Sequence, residues 1–304
     1  MKKFILSPVI LLLVVGTLMG LNFPLGKIAG EAGISPMVWA MLVSLGASGM
    51  LLPILVIKKI LAVPRGKVII FVVTSALISF VIPNLLLFSV IPHAGAGFTG
   101  LMFALSPVFT LTMAAIARLK TPNLTGKIGI AIGLAGATIV SIARGAAPEA
   151  PAVIWMAAAL FIPFALAVGN IYRTKAWPEK ALPDVLAFWS HAFAVTVFLT
   201  LLIFTRGSVP WGELSYAPLA TLAQVVVAGV TFPLFFRLQL KGGPVLLSQI
   251  GYVAAAVSLI AAVVVLGEQY GRMTWFGAAV IGVGVGVTVV SQATSTRQGK
   301  DDVF

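Results

Sequence analysis

The stretch VIIFVVTSALISFVIPNLLLFSVIPHAGAGFTGLMFALSPVFTLTMAAIA, residues 68–117, contains no Asp, Glu, Lys or Arg. A helix needs about 20 mostly apolar residues to span a bilayer, so this run is too long for one crossing. It breaks at Ile91-Pro92-His93-Ala94-Gly95, where proline, glycine and a polar side chain supply a turn. The segment therefore reads as two membrane helices joined by a short connection.

The same pattern recurs on either side. Uncharged blocks cover residues 4–26, 32–57, 128–143, 150–172, 185–205, 214–236, 242–267 and 273–296. The block from 128 is short, but Leu124, Thr125 and the snorkelling stem of Lys127 extend it. Ten crossings result, with cores near 5–26, 36–57, 68–90, 95–117, 125–142, 153–172, 185–205, 217–236, 245–266 and 273–292. Lys2 and Lys3 before an apolar run also fit a cleaved signal, but a signal core spans only about 7–15 residues. A retained first helix is the expectation.

Composition agrees. Charged residues make up 9% of the chain and apolar ones 60%, with a mean hydropathy of +1.11. Soluble domains carry roughly 25% charged residues, so a water-soluble enzyme is excluded. The net charge of +12 would suggest nucleic acid only if it gathered on one solvated face. Instead it alternates between loops. One side collects Lys2, Lys3, Lys58, Lys59, Arg65, Lys67, Arg118, Lys120, Lys127, Arg173, Lys175, Lys180, Arg237, Lys241, Arg297 and Lys300. The other receives only Lys27, Arg144, Arg206 and Arg272. The positive-inside rule then puts both termini in the cytoplasm of a multi-pass protein of the cytoplasmic (inner) membrane. The basic loops face anionic lipid rather than nucleic acid. Without cysteine there is no disulfide, thiolate nucleophile or Cys-based metal site, and no metal or other cofactor is expected.

The chain also repeats at half its length. Near an offset of 150, Pro83 meets Pro233, Gly136 meets Gly286, Thr138 meets Thr288 and Ser141 meets Ser291. At slightly smaller offsets Asn22 meets Asn170, Pro36 meets Pro183 and Ala40 meets Ala187. Five crossings per half force the second half to enter the membrane inverted, the arrangement common in secondary transporters. The expected fold is all-α and integral to the membrane: ten transmembrane helices as two inverted five-helix repeats. The repeats are 1–145 and 150–296, followed by a cytoplasmic tail at 297–304.

These residues resemble a known family. The run 101–117 with Ser106-Pro107 inside it, and the apolar helix ending in Leu266-Gly267-Glu268 before a Gly-rich helix, look like EamA-type repeats of the drug/metabolite transporter superfamily. Gly20-Leu21-Asn22-Phe23, with Lys27 a turn later, is similar to the family's first helix. The first repeat departs from the second in having Arg118-Leu119 where the latter has Glu268-Gln269. The resemblance implies a central cavity lined by the first, third, fourth, sixth, eighth and ninth crossings, with the fifth and tenth further out.

Two strings imitate nucleotide motifs. Gly95-x-Gly97-x-x-Gly100 lacks the preceding strand of a dinucleotide fold and is expected to serve close helix packing. Gly20 to Lys27 is mis-spaced for a P-loop, and Ile28 stands where Ser or Thr must hold magnesium. Gly129-x-x-x-Gly133 and Gly282-x-x-x-Gly286 are helix-packing faces, within the bundle or in a homodimer, so the protein is expected as monomer or homodimer.

Polar groups inside crossings are costly and usually face a cavity. The candidates for substrate binding are Asn22, Asn84, Asn170, Gln249 and Tyr252, with bundle-holding hydrogen bonds as the other reading. His93 and His191 are the candidates for proton coupling, because histidine titrates near neutral pH. No Asp or Glu falls at the middle of a crossing, and Glu268 is expected to pair with Arg272. A cavity without carboxylates suits neutral or zwitterionic metabolites such as amino acids better than cations. The expected function is thus export of small metabolites by alternating access, with no enzymatic activity. The rivals are a channel-like facilitator and a polytopic membrane enzyme, whose clustered acids, histidines or cysteines are missing here.

Overall fold

A computed structural model describes the backbone of residues 7–119, 123–147 and 150–301, with side chains throughout except at 285, 288, 289 and 292–301. Among the described residues all regular structure is helical, and eight helices are long and apolar enough to cross a membrane. Ile142, Phe204, Leu219 and Ile260 are exposed, which suits an outer surface wetted by lipid rather than water.

Helix α1 (Pro8–Glu31) starts where Ser7 accepts the Ile10 amide at 3.3 Å and Pro8 occupies the first turn, whose N–H has no helical partner anyway. It outlasts its predicted end at residue 26, since Lys27 and Glu31 pair across one turn at 3.4 Å. After α2 (Pro36–Ile57) comes a span over Lys67–Ala94 that is not uniform. It consists of α3 (Lys67–Ser75), a π-helical segment Ala76–Val81 and α4 (Ile82–Ala94). Pro83 is the cause: it offers no N–H and its ring crowds the Ser79 carbonyl, so the preceding turn widens.

The predicted break falls at Gly95, whose φ of +93° a side-chain-bearing residue rarely adopts. Helices α5 (Ala96–Phe103) and α6 (Ser106–Ile116) follow, separated at Ala104-Leu105 just before Pro107. The remainder is α7 (Leu124–Gly145), α8 (Val153–Lys175), α9 (Pro183–Arg206), a 3-10 turn (Trp211–Tyr216), α10 (Pro218–Ser248), α11 (Ile250–Val264) and α12 (Arg272–Asp301). Here the structure departs from the expected ninth crossing. The chain kinks at Gly243, with φ +66°, so Pro244–Ser248 leads into the shorter helix α11. Lys2, Lys3, Lys120 and Glu149, the start of the first predicted crossing and residues 302–304 lie outside the described residues. The expected tail from 297 begins within α12.

Glycines set the packing distances. A Cβ at Gly16 or Gly20 of α1 would strike Val253 or Val257 of α11, and one at Gly26 or Gly30 would strike Phe88 or Pro92 of α4. Helices α7 and α12 pack on each other so closely that a Cβ on Gly284 would lie 2.5 Å from the Gly133 amide nitrogen. The Gly282-x-x-x-Gly286 face is therefore not the one used within the chain. Among the described residues nothing lies within 4 Å of a Cβ at either glycine, and Gly277 and Gly284 make the contact instead.

Candidate functional site

A small cavity of about 40 Å³, room for a few water molecules, lies between the two halves of the chain. Its first-half wall is Met19 of α1, Ser79 and Phe80 of the π segment, Asn84 of α4, Phe103 of α5 and Ser106 of α6. Its second-half wall is Leu166 and Asn170 of α8, Phe232 and Phe235 of α10, and Leu247, Ser248, Ile250 and Gly251 at the α10–α11 junction. Two proline-induced breaks shape this space. The π turn before Pro83 brings Ser79 and Phe80 to the wall. The interruption before Pro107 lets Gly251 approach the Phe103 carbonyl, where a Cβ would lie only 2.7 Å away. Amides and hydroxyls supply the polarity, and among the described residues no carboxylate lines the cavity.

Asn84 and Asn170 both reach this wall, and the Asn84 amide nitrogen has no hydrogen-bond partner among the described residues. Asn22 lies behind the wall: its Oδ1 accepts from Gln224 Nε2 at 2.7 Å, and its Nδ2 donates to the Leu18 and Met19 carbonyls. Gln249 and Tyr252 flank lining residues without lining the cavity themselves. His191 is fully buried between Phe80 and Phe232, with ring centroids 4.1 and 4.0 Å away, and its Nδ1 lies 3.3 Å from Ser44 Oγ. His93 is remote, stacked on Trp155 at 4.0 Å.

Three polar residues outside that set matter at this site. Gln224 and Gln239, both on α10, bond Asn22 and Asn170 respectively. Arg173, read from the sequence as a loop cation, is instead in the last turn of α8 and only 1% exposed. Its place three residues after Asn170 was the available signal, because that spacing puts both on one helix face.

Beyond the C-terminal end of α4, Glu268 does not turn to Arg272. Its carboxylate accepts the amides of Ala96 at 2.8 Å and Gly97 at 3.1 Å, and the Tyr270 hydroxyl donates to it. Free N–H groups and the positive helix dipole at the start of α5 attract the carboxylate more specifically than an exposed arginine does. Burial, followed by the charge of Glu268, pushes the Tyr270 phenol above its ordinary range, so it remains a donor. This accounts for the Gly95-x-Gly97-x-x-Gly100 string: Gly97 faces the Tyr270 ring and Gly100 faces Ser258, with no room for a Cβ at either.

Multiple apolar spans around a small central cavity define a multi-pass helical membrane protein. Residues 6–142, a little under half of the chain, match the EamA-like transporter family. No curated protein matches the chain. Among solved structures, one described only as the crystal structure of a protein superposes with a TM-score of 0.67 at 20% identity. That superposition covers 93% of this chain and 98% of the other, which extends the likeness in fold to the second half.

Proposed function

We propose that this protein is a secondary carrier that moves a small neutral or zwitterionic metabolite, an amino acid or similar solute, outward across the cytoplasmic membrane. Ten crossings in two inverted repeats, 1–145 and 150–296, would rock against each other around the central cavity, with both termini in the cytoplasm. The observation that carries this reading is the cavity's position: both halves of the chain build its wall, with polar groups that are uncharged. A site at the junction of two repeats becomes accessible from alternate sides when one repeat tilts against the other. Asn84 and Asn170 are the substrate-facing amides in this account. His191, behind Phe80 and Phe232, is the proton-coupling candidate placed nearest the cavity.

The test is transport by purified protein in proteoliposomes against a panel of amino acids and neutral metabolites. Saturable flux that falls several-fold in Asn170→Ala, with folded protein retained, supports the reading. Absence of flux for the whole panel removes it.

A further inference from the structure

The guanidinium of Arg173, in the last turn of α8, is buried behind Asn170 and Phe80 of the cavity wall. Its Nε donates to Gln239 Oε1 at 2.7 Å and its Nη2 to Asn170 Oδ1 at 2.6 Å. The rings of Phe80, Phe235 and Phe236 surround it, with centroids 5.6, 5.1 and 6.0 Å from Cζ. No Asp or Glu among the described residues pairs with it. A cation in such surroundings carries a desolvation cost that neutral oxygens and ring faces offset only in part.

A second arginine of the same bundle shows what that donor edge does with a carboxylate. Arg237 presents its Nε and Nη2 to the two oxygens of Asp184 at 2.9 and 2.6 Å. Arg173 presents the same edge to two oxygens at similar distances, but these belong to separate amides on α8 and α10. One carboxylate would satisfy both donors at once. Charge-assisted bonds of this kind are roughly twice as strong as bonds to neutral acceptors. The surroundings lead an anion there: Asn170 and Phe80 line the cavity on one side. On the other, Trp177 backs Phe236 at 6.1 Å and lines a recess with Arg65, Lys67, Lys175 and a lone carboxylate, Glu179.

We propose that Arg173 is the anion-recognition residue of this carrier, and that its Nε/Nη2 edge exchanges the Asn170 and Gln239 oxygens for the carboxylate of the substrate. The substrate class is thereby narrowed to small molecules bearing a carboxylate, whether or not they also carry an ammonium group. This rests on the carrier reading. The exchange also breaks the Arg173–Gln239 bond between α8 and α10, while the bonds from Gln239 Nε2 to the Asn170 carbonyl and to Thr174 Oγ1 still join the two helices.

The experiment uses matched carboxylate and primary-amide probes: L-leucine with L-leucinamide, 4-methylpentanoate with 4-methylpentanamide, and benzoate with benzamide. Binding to the purified full chain at pH 7 is read by thermal shift and tryptophan fluorescence, for the native protein, Arg173→Gln and Arg173→Lys. The expected result is at least a tenfold preference for the carboxylate member. Arg173→Gln should abolish it, and Arg173→Lys, which keeps charge but not the fork, should retain part of it. Arg173→Gln leaves the buried Asn170 and Gln239 oxygens without their donor and should lower the unfolding temperature, so the preference is read on the fraction of each variant that elutes as folded protein. Equal binding of acid and amide, or a preference unchanged in Arg173→Lys, overturns the assignment. No binding by any probe also overturns it. Saturable flux of neutral solutes in the same preparation would then leave the carrier reading standing, whereas no flux of any solute would remove both.

Discussion

The Gln224 side chain on α10 donates to Asn22 Oδ1 on α1 across 2.7 Å, tying the two halves together behind the cavity wall. Roughly 22 Å further along α10, at ~1.5 Å per residue, Gln239 donates to the Asn170 carbonyl oxygen on α8. The two asparagines that align between the halves are thus each held by a glutamine of the same helix. Their roles differ, since only Asn170 reaches the cavity.

Asn22→Ala should act on stability more than on affinity. It strands the buried Gln224 amide, whose Oε1 already lacks a partner among the described residues. The expected cost is about 1–2 kcal/mol. Unfolding in detergent should show that Asn22→Ala combined with Gln224→Ala costs less than the two single changes added together. Strict additivity would mean that the bond contributes nothing.

The α7–α12 contact makes a paired prediction. Gly284→Ala drives a methyl into the Gly133 backbone, and Gly136→Ala drives one to within 2.6 Å of the Ile281 nitrogen. Backbone cannot rotate away, so each should destabilise by about 1–3 kcal/mol. Gly282→Ala and Gly286→Ala meet open space and should leave the unfolding temperature unchanged or slightly raised. Equal effects from both pairs would contradict the helix face assigned here.

Glu268→Ala should loosen the start of α5, exposing the Ala96 and Gly97 amides that its carboxylate now satisfies. A loss of about 1–3 kcal/mol is expected, with a smaller loss for Tyr270→Phe, which removes the acceptor of the Phe98 amide. Arg272→Ala should be silent in the same unfolding assay; a loss as large as that of Glu268→Ala would restore the Glu268–Arg272 pairing.

Glu213, in the 3-10 turn, fixes an acid limit. Partial burial pushes its carboxyl up, but the Ser35 amide at 2.7 Å and the Arg206 guanidinium at 2.7 Å prevail and hold it below its ordinary range. Its contribution to stability is complete above the unfolded value of about 4.3 and is lost as pH falls through the lower folded value. Glu213→Gln should therefore be less stable at neutral pH and lose less of its remaining stability on acidification. Parallel stability profiles of variant and native protein between pH 3 and 7 would show that Glu213 is uncoupled from folding.

Much of this arrangement was legible in the sequence. Uncharged length marked the eight long apolar helices among the described residues, though not all ten expected crossings, and Pro92 to Gly95 marked the break that the structure puts at Gly95, because helix length and backbone sterics are local properties. The π turn at Ala76–Val81 was signalled only by Pro83, and hydropathy does not distinguish an α turn from a π turn. Arg173 was counted with loop cations because charge was used to end a crossing at residue 172, whereas three aromatic rings and two amides let the helix carry the charge inward. Gln224 and Gln239 were missed for a related reason: their significance depends on which helix packs opposite, and spacing along one helix does not reveal that.

Counterflow tests the carrier account most directly. Proteoliposomes loaded with unlabelled solute are diluted into labelled solute, and uptake is followed over time. A carrier with one site exposed alternately predicts a transient overshoot, saturation with external concentration, and loss of both when the membrane lacks the protein. Uptake that rises linearly with concentration and shows no stimulation by solute on the opposite side would contradict it.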